Sequence, residues 1–393
     1  MIHKVFNLLR TTAVSQFKRK GVDYSTWIFS SSFNTKYNYN SKYLFEYVLK
    51  NEPGITPLYV INDDTLREKL KGQIGNKYFI ETKSWKGINK VLNAGVWFTS
   101  AGLPVYGLGL NKQRMIINLW HGVPLKKIAL MENSLDWWTS LYFKHIFSNN
   151  YTHILTTSEN LVSTMQKSFG VPRETIKVWG QPRNDALFSQ NSREKVLNEI
   201  YGQLPAYNKV VLYAPTFREN RGTKFFPFED FTSTKLDNFL EDQKLLIFVR
   251  CHQSEMGSTT NKFGDRVKLI NADRVEEIMD IINIFDLLIT DYSSIFIDYL
   301  LTQKPVLFLP YDKEQYIGDR GFNFDYDSIT PGPKPATFGS FQQEVIRLLE
   351  NQLYYQAERQ NANLFFNQIQ EECSPEICTR IKEIVGMKQS KKE

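Results

Sequence analysis

Two series of short, unbroken apolar segments, one in each half of the chain, constrain this sequence more than any other feature. The first series is TWIFSSSF (26–33), TPLYVIND (56–63), KYFI (77–80), GVWFTSAG (95–102), MIINLWHG (115–122) and HILTTSEN (153–160). The second is KVVLYAPTFR (209–218), LLIFVRCHQ (245–253), RVKLINAD (266–273), DLLITDYSS (286–294) and KPVLFLPYD (304–312). Apolar runs of this length without polar alternation read as strands buried on both faces. Helical patterns lie between them, at NSKYLFEYVLKN (40–51), EEIMDIINIF (276–285) and SIFIDYLLTQ (294–303), and 338–386 reads as helical. Strand–helix alternation predicts parallel sheets. The polar and aromatic stretch NTKYNYN (34–40) reads as a surface loop.

At 393 residues the chain is long enough for two domains with their own cores. The boundary is expected in GQPRNDALFSQNSREK (180–195). That gives an N-terminal segment 1–20, α/β domains at 21–185 and 195–370, and a C-terminal helix with a basic tail at 371–393. Two Rossmann-like domains facing across a cleft are the GT-B type of α/β fold, although this rhythm alone permits other two-domain α/β enzymes.

Charge is concentrated at one end. Lys4, Arg10, Lys18, Arg19 and Lys20, with no acid among residues 1–20, supply five of the six net positive charges. The remainder is near neutral, so no nucleic-acid surface is indicated. Ile2, Val5, Phe6, Leu9, Ala13 and Phe17 share one stripe at helical spacing. An amphipathic helix is expected there, lying on an anionic membrane surface or packing on its own domain. The longest uncharged run, Val91 to Asn111, is interrupted by Gly95, Gly102, Pro104, Gly107 and Gly109 and is no transmembrane helix. The N-terminus is too polar for a signal peptide. Cys251, Cys373 and Cys378 form neither a disulfide framework nor a zinc site, which fits a reducing, cytosolic setting.

Among five histidines, His121 and His252 share one setting: each follows an apolar segment, IINLW or LLIFVR, where a strand hands over to a loop. In open α/β sheets that edge binds ligands. Two imidazoles there can act as general base and as leaving-group stabiliser. Either one alone reads equally well as a core or capping histidine; their parallel placement favours the paired reading. Asp291-Tyr292-Ser293-Ser294 stands at a strand-to-helix junction, where two hydroxyls and unpaired N–H groups suit a phosphate. Plain N-capping by one serine is the simpler alternative. Arg218 reads as a bidentate phosphate clamp or a surface salt bridge. Arg183 can face the site or pair with an acid, and Arg320 of RGFN (320–323) can line it. No Asp-x-Asp pair adjoins the Asp291–Ser294 motif in sequence and no His, Cys or carboxylate cluster has ligand spacing. Neither metal nor other cofactor is therefore expected, and Asp291 reads better as a loop holder than as a lone metal ligand.

WHGVPLKK (120–127), GQPRND (180–185), YAPTFR (213–218), VRCH (249–252), TDYSSIFIDYL (290–300) and KPVLFLPYDKEQY (304–316) together resemble the CDP-glycerol glycerophosphotransferase family. These are the teichoic-acid and capsule polyol-phosphate transferases. The resemblance runs from about Asn118 to Asp327 and is thin over residues 1–110. It implies a GT-B fold with an acceptor-side N-terminal domain and a CDP-donor domain. It also implies a lipid-linked glycan or polyol-phosphate acceptor at the cytoplasmic face of a bacterial membrane. The family's two essential histidines fall on His121 and His252, and its donor-phosphate contacts on Ser293 and Ser294. Arg218, Asp291, Gly122, Arg183 and Arg320 complete the expected donor-binding set.

The implied reaction is attack by an acceptor hydroxyl on the β-phosphorus of CDP-glycerol, forming a phosphodiester and releasing CMP. His121 is the expected base, with His252, Ser293 and Ser294 on the departing CMP, although the histidines can be assigned the other way. A length close to the short family members favours priming over long-chain polymerisation. A CDP-ribitol donor, a GT-B glycosyltransferase or epimerase acting on a nucleotide sugar, and a non-catalytic module holding a lipid-linked intermediate stay open.

Overall fold

The computed structural model describes residues 11–12, 21–133, 135–218, 222–251 and 263–390. It divides into two compact units, one of residues 1–122, 128–185 and 371–393, the other of 123–127 and 186–370.

The first unit is built on β1 (Asp23–Ser30), β2 (Thr56–Val60), β3 (Phe79–Ile80), β4 (Ala94–Thr99), β5 (Met115–Asn118), β6 (His153–Thr156) and β7 (Ile176–Val178). They form one parallel sheet in the order β3-β2-β1-β4-β5-β6-β7. β4 is buried along its whole length, as a strand covered on both faces must be. Trp27 and Phe29, two residues apart on β1 and so on one face, meet Phe98 of β4 at ring-centroid distances of 5.3 and 5.2 Å. The accompanying helices are α1 (Tyr39–Asn51), α2 (Asp64–Gln73), α3 (Trp85–Asn93) and α4 (Val162–Phe169).

The second unit carries β8 (Lys209–Ala214), β9 (Leu245–Val249), β10 (Val267–Leu269), β11 (Leu287–Thr290) and β12 (Val306–Phe308). Their parallel order is β10-β9-β8-β11-β12. Its helices are α5 (Arg193–Tyr201), α6 (Ser233–Asp242), α7 (Ile295–Tyr299), α8 (Lys313–Asp319), α9 (Phe338–Glu350) and α10 (Gln356–Phe366). The last helix, α11 (Ser374–Ser390), returns to the first unit. There Lys382 Nζ pairs with Glu52 at 2.8 Å, and Cys373 N and Ser374 N donate to the Asp185 carboxylate at 2.8 and 3.0 Å. The fold is thus the expected α/β class with two Rossmann-like units.

Each sheet reverses its strand order once, between β1 and β4 and between β8 and β11. At such a switch point the loops leave neighbouring strand ends in opposite directions and open a crevice at their carboxyl ends.

Some local expectations are corrected. Residues 276–285 form two 3-10 turns, Ile278–Asp280 and Ile282–Ile284, in place of a helix. Ile278, Met279, Ile281, Ile282, Ile284 and Phe285 are all buried, so the apolar residues do not make a single stripe, and β-branched isoleucines gain little from an α-helix. The helix expected over 294–303 is the five-residue α7 followed by a 3-10 turn, ending at Gln303 with φ 59°. β7 was not among the expected strands; three residues with a central lysine give no apolar run. Of the amphipathic helix expected over 1–20, only Thr11 and Thr12 are described; the rest lies outside the described residues. Among the described residues no helix is long and apolar enough to cross a membrane.

Candidate active site

The carboxyl ends of the first sheet carry a seam of buried polar side chains: Ser30 closing β1 and Ser31 after it, Thr99 closing β4 and Ser100 after it, Asn118 closing β5. Ser30 pairs in register with Thr99, and Thr99 with Asn118. The chain leaves β5 through Trp120, whose φ of 54° is strained for a residue with a side chain. Asn118 Oδ1 pins that turn by accepting from Trp120 N at 2.8 Å.

His121 follows. Its Nδ1 lies 2.9 Å from Ser100 O. A carbonyl oxygen only accepts, so Nδ1 carries the hydrogen and Nε2 keeps its lone pair, the tautomer of a base. Burial pushes the imidazole down to about 4; the Ser100 bond opposes this and the Arg183 charge adds to it. The ring is therefore neutral at physiological pH. It stacks on Tyr39 at 5.1 Å and lies tilted against Trp120 at 4.1 Å. Gly122, with φ 147°, ends this unit's segment.

Asn40 on the first turn of α1 ties the seam together. Its Nδ2 donates to Leu119 O at 3.0 Å and Trp120 O at 2.9 Å, and its Oδ1 accepts from Arg183 N at 3.0 Å. Arg183 donates Nη1 to His121 O at 2.7 Å, so this arginine braces the His121 turn through its backbone. Ser41 N donates to Ser100 Oγ at 2.8 Å, and the Ser41 hydroxyl donates to Ser30 O at 2.7 Å. The surface loop expected over 34–40 thus ends in a fully buried asparagine. Asn and Ser at a helix start read as caps, which masks this role in the sequence.

At the second switch point Asp291 follows β11 and Thr216 follows β8. Asp291 Oδ1 accepts from Thr216 N at 2.8 Å and Tyr292 N at 2.6 Å, and Oδ2 accepts from Arg218 Nη1 at 2.8 Å. This is the loop-holding role. Arg218 grips both oxygens of Asp312 through Nε and Nη2, each at 2.8 Å. The bidentate fork expected on a phosphate is filled by Asp312. The alternative is corrected too: with Arg218 8% and Asp291 2% exposed, this is a buried ion pair and no surface salt bridge. Burial works against the Arg218 charge, yet Asp312 and Asp291 hold its pKa above the ordinary value. Burial pushes Asp312 up, but Arg218 and Tyr292 leave it below the usual carboxylate range. Tyr292 donates its hydroxyl to Asp312 Oδ1 at 2.9 Å, and the rings of Tyr292, Tyr311 and Tyr316 lie 4.6–5.9 Å from the guanidinium carbon.

Ser293 Oγ is 3.4 Å from Ile295 N, a poor cap, and Ser294 makes no side-chain cap bond to α7. Simple capping does not account for two serines. With five residues α7 has little macrodipole, so its N-terminus alone attracts an anion only weakly. Arg320 is exposed at the end of α8, its N donating to Tyr316 O at 2.9 Å. His252 lies outside the described residues. Among the described residues no group of three or more His, Cys, Asp or Glu is placed to hold a metal ion. His121, Gly122 and Arg183 are thus gathered in one unit, and Arg218, Asp291, Ser293 and Ser294 in the other. Sequence reasoning gave no role to Asn40, Ser100 or Asp312, and quoted Tyr292 without its bond to Asp312.

The model of the family described as CDP-Glycerol:Poly(glycerophosphate) glycerophosphotransferase matches residues 11–383. A teichoic acid glycerol-phosphate transferase of Staphylococcus aureus is 29% identical over 350 residues, covering 84% of each chain. A teichoic acid poly(ribitol-phosphate) polymerase of Bacillus spizizenii is 26% identical over 359 residues, 90% of this chain and 55% of that one. The chain spans about half the length of the first four curated relatives it matches, 44–55%. A solved structure of the wall teichoic acid polymerase TagF, soaked with CDPG, matches at TM-score 0.77 and 22% identity over 99% of this chain and 97% of that one. That likeness shows a shared fold.

Proposed function

The chain belongs to the CDP-glycerol:poly(glycerophosphate) glycerophosphotransferase family, and on that footing we propose that it transfers glycerol phosphate from CDP-glycerol to a hydroxyl of a teichoic-acid acceptor. The observation that carries this reading is the neutral His121 with its hydrogen on Nδ1 and its lone pair on Nε2, fixed at a sheet switch point. The acceptor oxygen attacks the β-phosphorus, and the bond from that phosphorus to the bridging oxygen breaks. CMP leaves with the electron pair, and the hydroxyl proton passes to His121 Nε2. A bound diphosphate favours the imidazolium and so raises the ring's basicity when it is needed.

Ser293 and Ser294 donate to the phosphates, and His252, assigned from the family resemblance, stabilises the departing CMP. Fixed donors of this kind supply the larger share of such a rate enhancement. Arg218 acts at one remove, holding the Asp291 loop and Asp312. The acceptor is lipid-linked, the protein works at the cytoplasmic face of a bacterial membrane with its basic N-terminus on anionic lipid, and priming is favoured over polymerisation. CDP-ribitol is the second reading, because several of the matched relatives are ribitol-phosphate polymerases. The nucleotide-sugar and binding-module readings lose ground in a chain of this family.

The test is CMP release from CDP-glycerol and CDP-ribitol with a lipid-linked disaccharide acceptor. Acceptor-dependent CMP that disappears in His121→Ala and His252→Ala is expected. No CMP from either donor across a panel of lipid-linked acceptors would sink the reading.

A further inference from the structure

We propose that Lys126 binds a phosphate of the donor nucleotide and that the loop Gly321–Asn323 exists to hold it in place. The identity of that nucleotide rests on the function proposed above; the phosphate site itself does not.

Lys126 lies within the second unit. Its backbone forms an antiparallel bridge with Phe322. Lys127 N donates to Gly321 O at 3.2 Å, and Asn323 N donates to Leu125 O at 2.9 Å. The Asn323 amide closes the clamp, with Nδ2 donating to Pro124 O at 2.7 Å and Lys126 O at 2.8 Å. Gly321 has φ 69°, a left-handed backbone that favours glycine. Arg320-Gly321-Phe322-Asn323, expected to line the site through its arginine, serves chiefly through its backbone and Asn323.

The Lys126 ammonium sits 5.2 Å from the centroid of Tyr316. Tyr316 stacks on Tyr292 at 4.1 Å and 22°, and Tyr292 directly precedes Ser293. Two stacked rings, Tyr316 and Tyr292, thus connect Lys126 to the segment that carries the two serines. Among the described residues its ammonium has no carboxylate partner at ion-pair distance. Asp291 attracts it across the site, whereas Arg218 and Arg320 repel it, and Tyr316 offers only its ring. A half-buried cation in such company is costly unless an anion joins it. Burial brings its pKa down to about 8, with Asp291 opposing and Arg320 and Arg218 adding to the fall. Perturbed lysines without a structural partner mark binding sites.

Calorimetric titration of the full chain with CMP, inorganic pyrophosphate and cytidine tests this. Lys126→Met should weaken CMP and pyrophosphate by roughly 10- to 100-fold, the range for a charge-assisted hydrogen bond, and leave cytidine unchanged. Wild-type affinity for CMP should fall as pH rises through about 8, and Lys126→Arg should bind CMP without that fall. Asn323→Ala should weaken CMP less, and adding it to Lys126→Met should change nothing further. Pyrophosphate binding lost in Lys126→Met, in a wild type that ignores CMP, would keep the lysine site and overturn the cytidine donor. Lys126→Met affinities within twofold of wild type, or a wild type that binds neither phosphate ligand, would overturn the proposal.

Discussion

His121 shows how one hydrogen bond selects a chemical role. Ser100 O fixes the hydrogen on Nδ1, and burial keeps the ring uncharged. His121→Ala is expected to lower kcat by roughly 10²- to 10⁴-fold, the usual share of a general base, measured as CMP release. The same ring makes stability depend on pH. Its folded pKa of about 4 lies below the ordinary imidazole value of 6.5, so the unfolded chain takes up the proton first. The stabilising contribution is complete above about 6.5 and is lost as pH falls towards 4; thermal melts of wild type and His121→Gln should converge over that window. Arg218 makes a different residue-scale prediction. Arg218→Met leaves Asp291 and Asp312 without their cation, and denaturant unfolding should show a loss of about 3–5 kcal/mol. Sequence reading left Arg218 between a phosphate clamp and a surface salt bridge, because a single arginine does not announce which carboxylate will reach it.

Among the elements, the strands were the most legible. Uninterrupted apolar runs over β4, β8, β9 and β11 leave one solution, a strand hidden on both faces. The failures fell where that signal is absent or double: β7 is too short and too polar, and 276–285 buries apolar residues on more than one side. The edge strand β12 depends on a contact that no local pattern reveals. Gly332 passes so close that a Cβ would lie 2.0 Å from Val306 O, and Phe308 N donates to Pro333 O at 3.0 Å. Gly332→Ala should therefore push this segment off β12 and lower stability by about 1–3 kcal/mol, the cost of overpacking, read by denaturant unfolding.

For the whole molecule, family membership carries the reaction class, and charge distribution carries the membrane reading. Five of six net charges lie in residues 1–20, so deleting them should release the protein from anionic vesicles in a sedimentation assay and leave neutral vesicles unaffected. What the sequence by itself determined is whatever depends on near neighbours: two parallel-sheet units, the strand ends where His121 and Asp291 stand, and the motifs that resemble a transferase family. Periodicity and strand-end chemistry are local, and a few adjacent residues suffice to state them. Only the tertiary structure decided which polar groups meet. Asn40 and Arg183 are 143 residues apart, and Arg218 and Asp312 are 94 apart. The free energy of burying such groups depends on a partner that no neighbouring residue specifies. Sheet order brings those partners together, and with them comes the difference between an arginine left at the surface and one buried on two carboxylates.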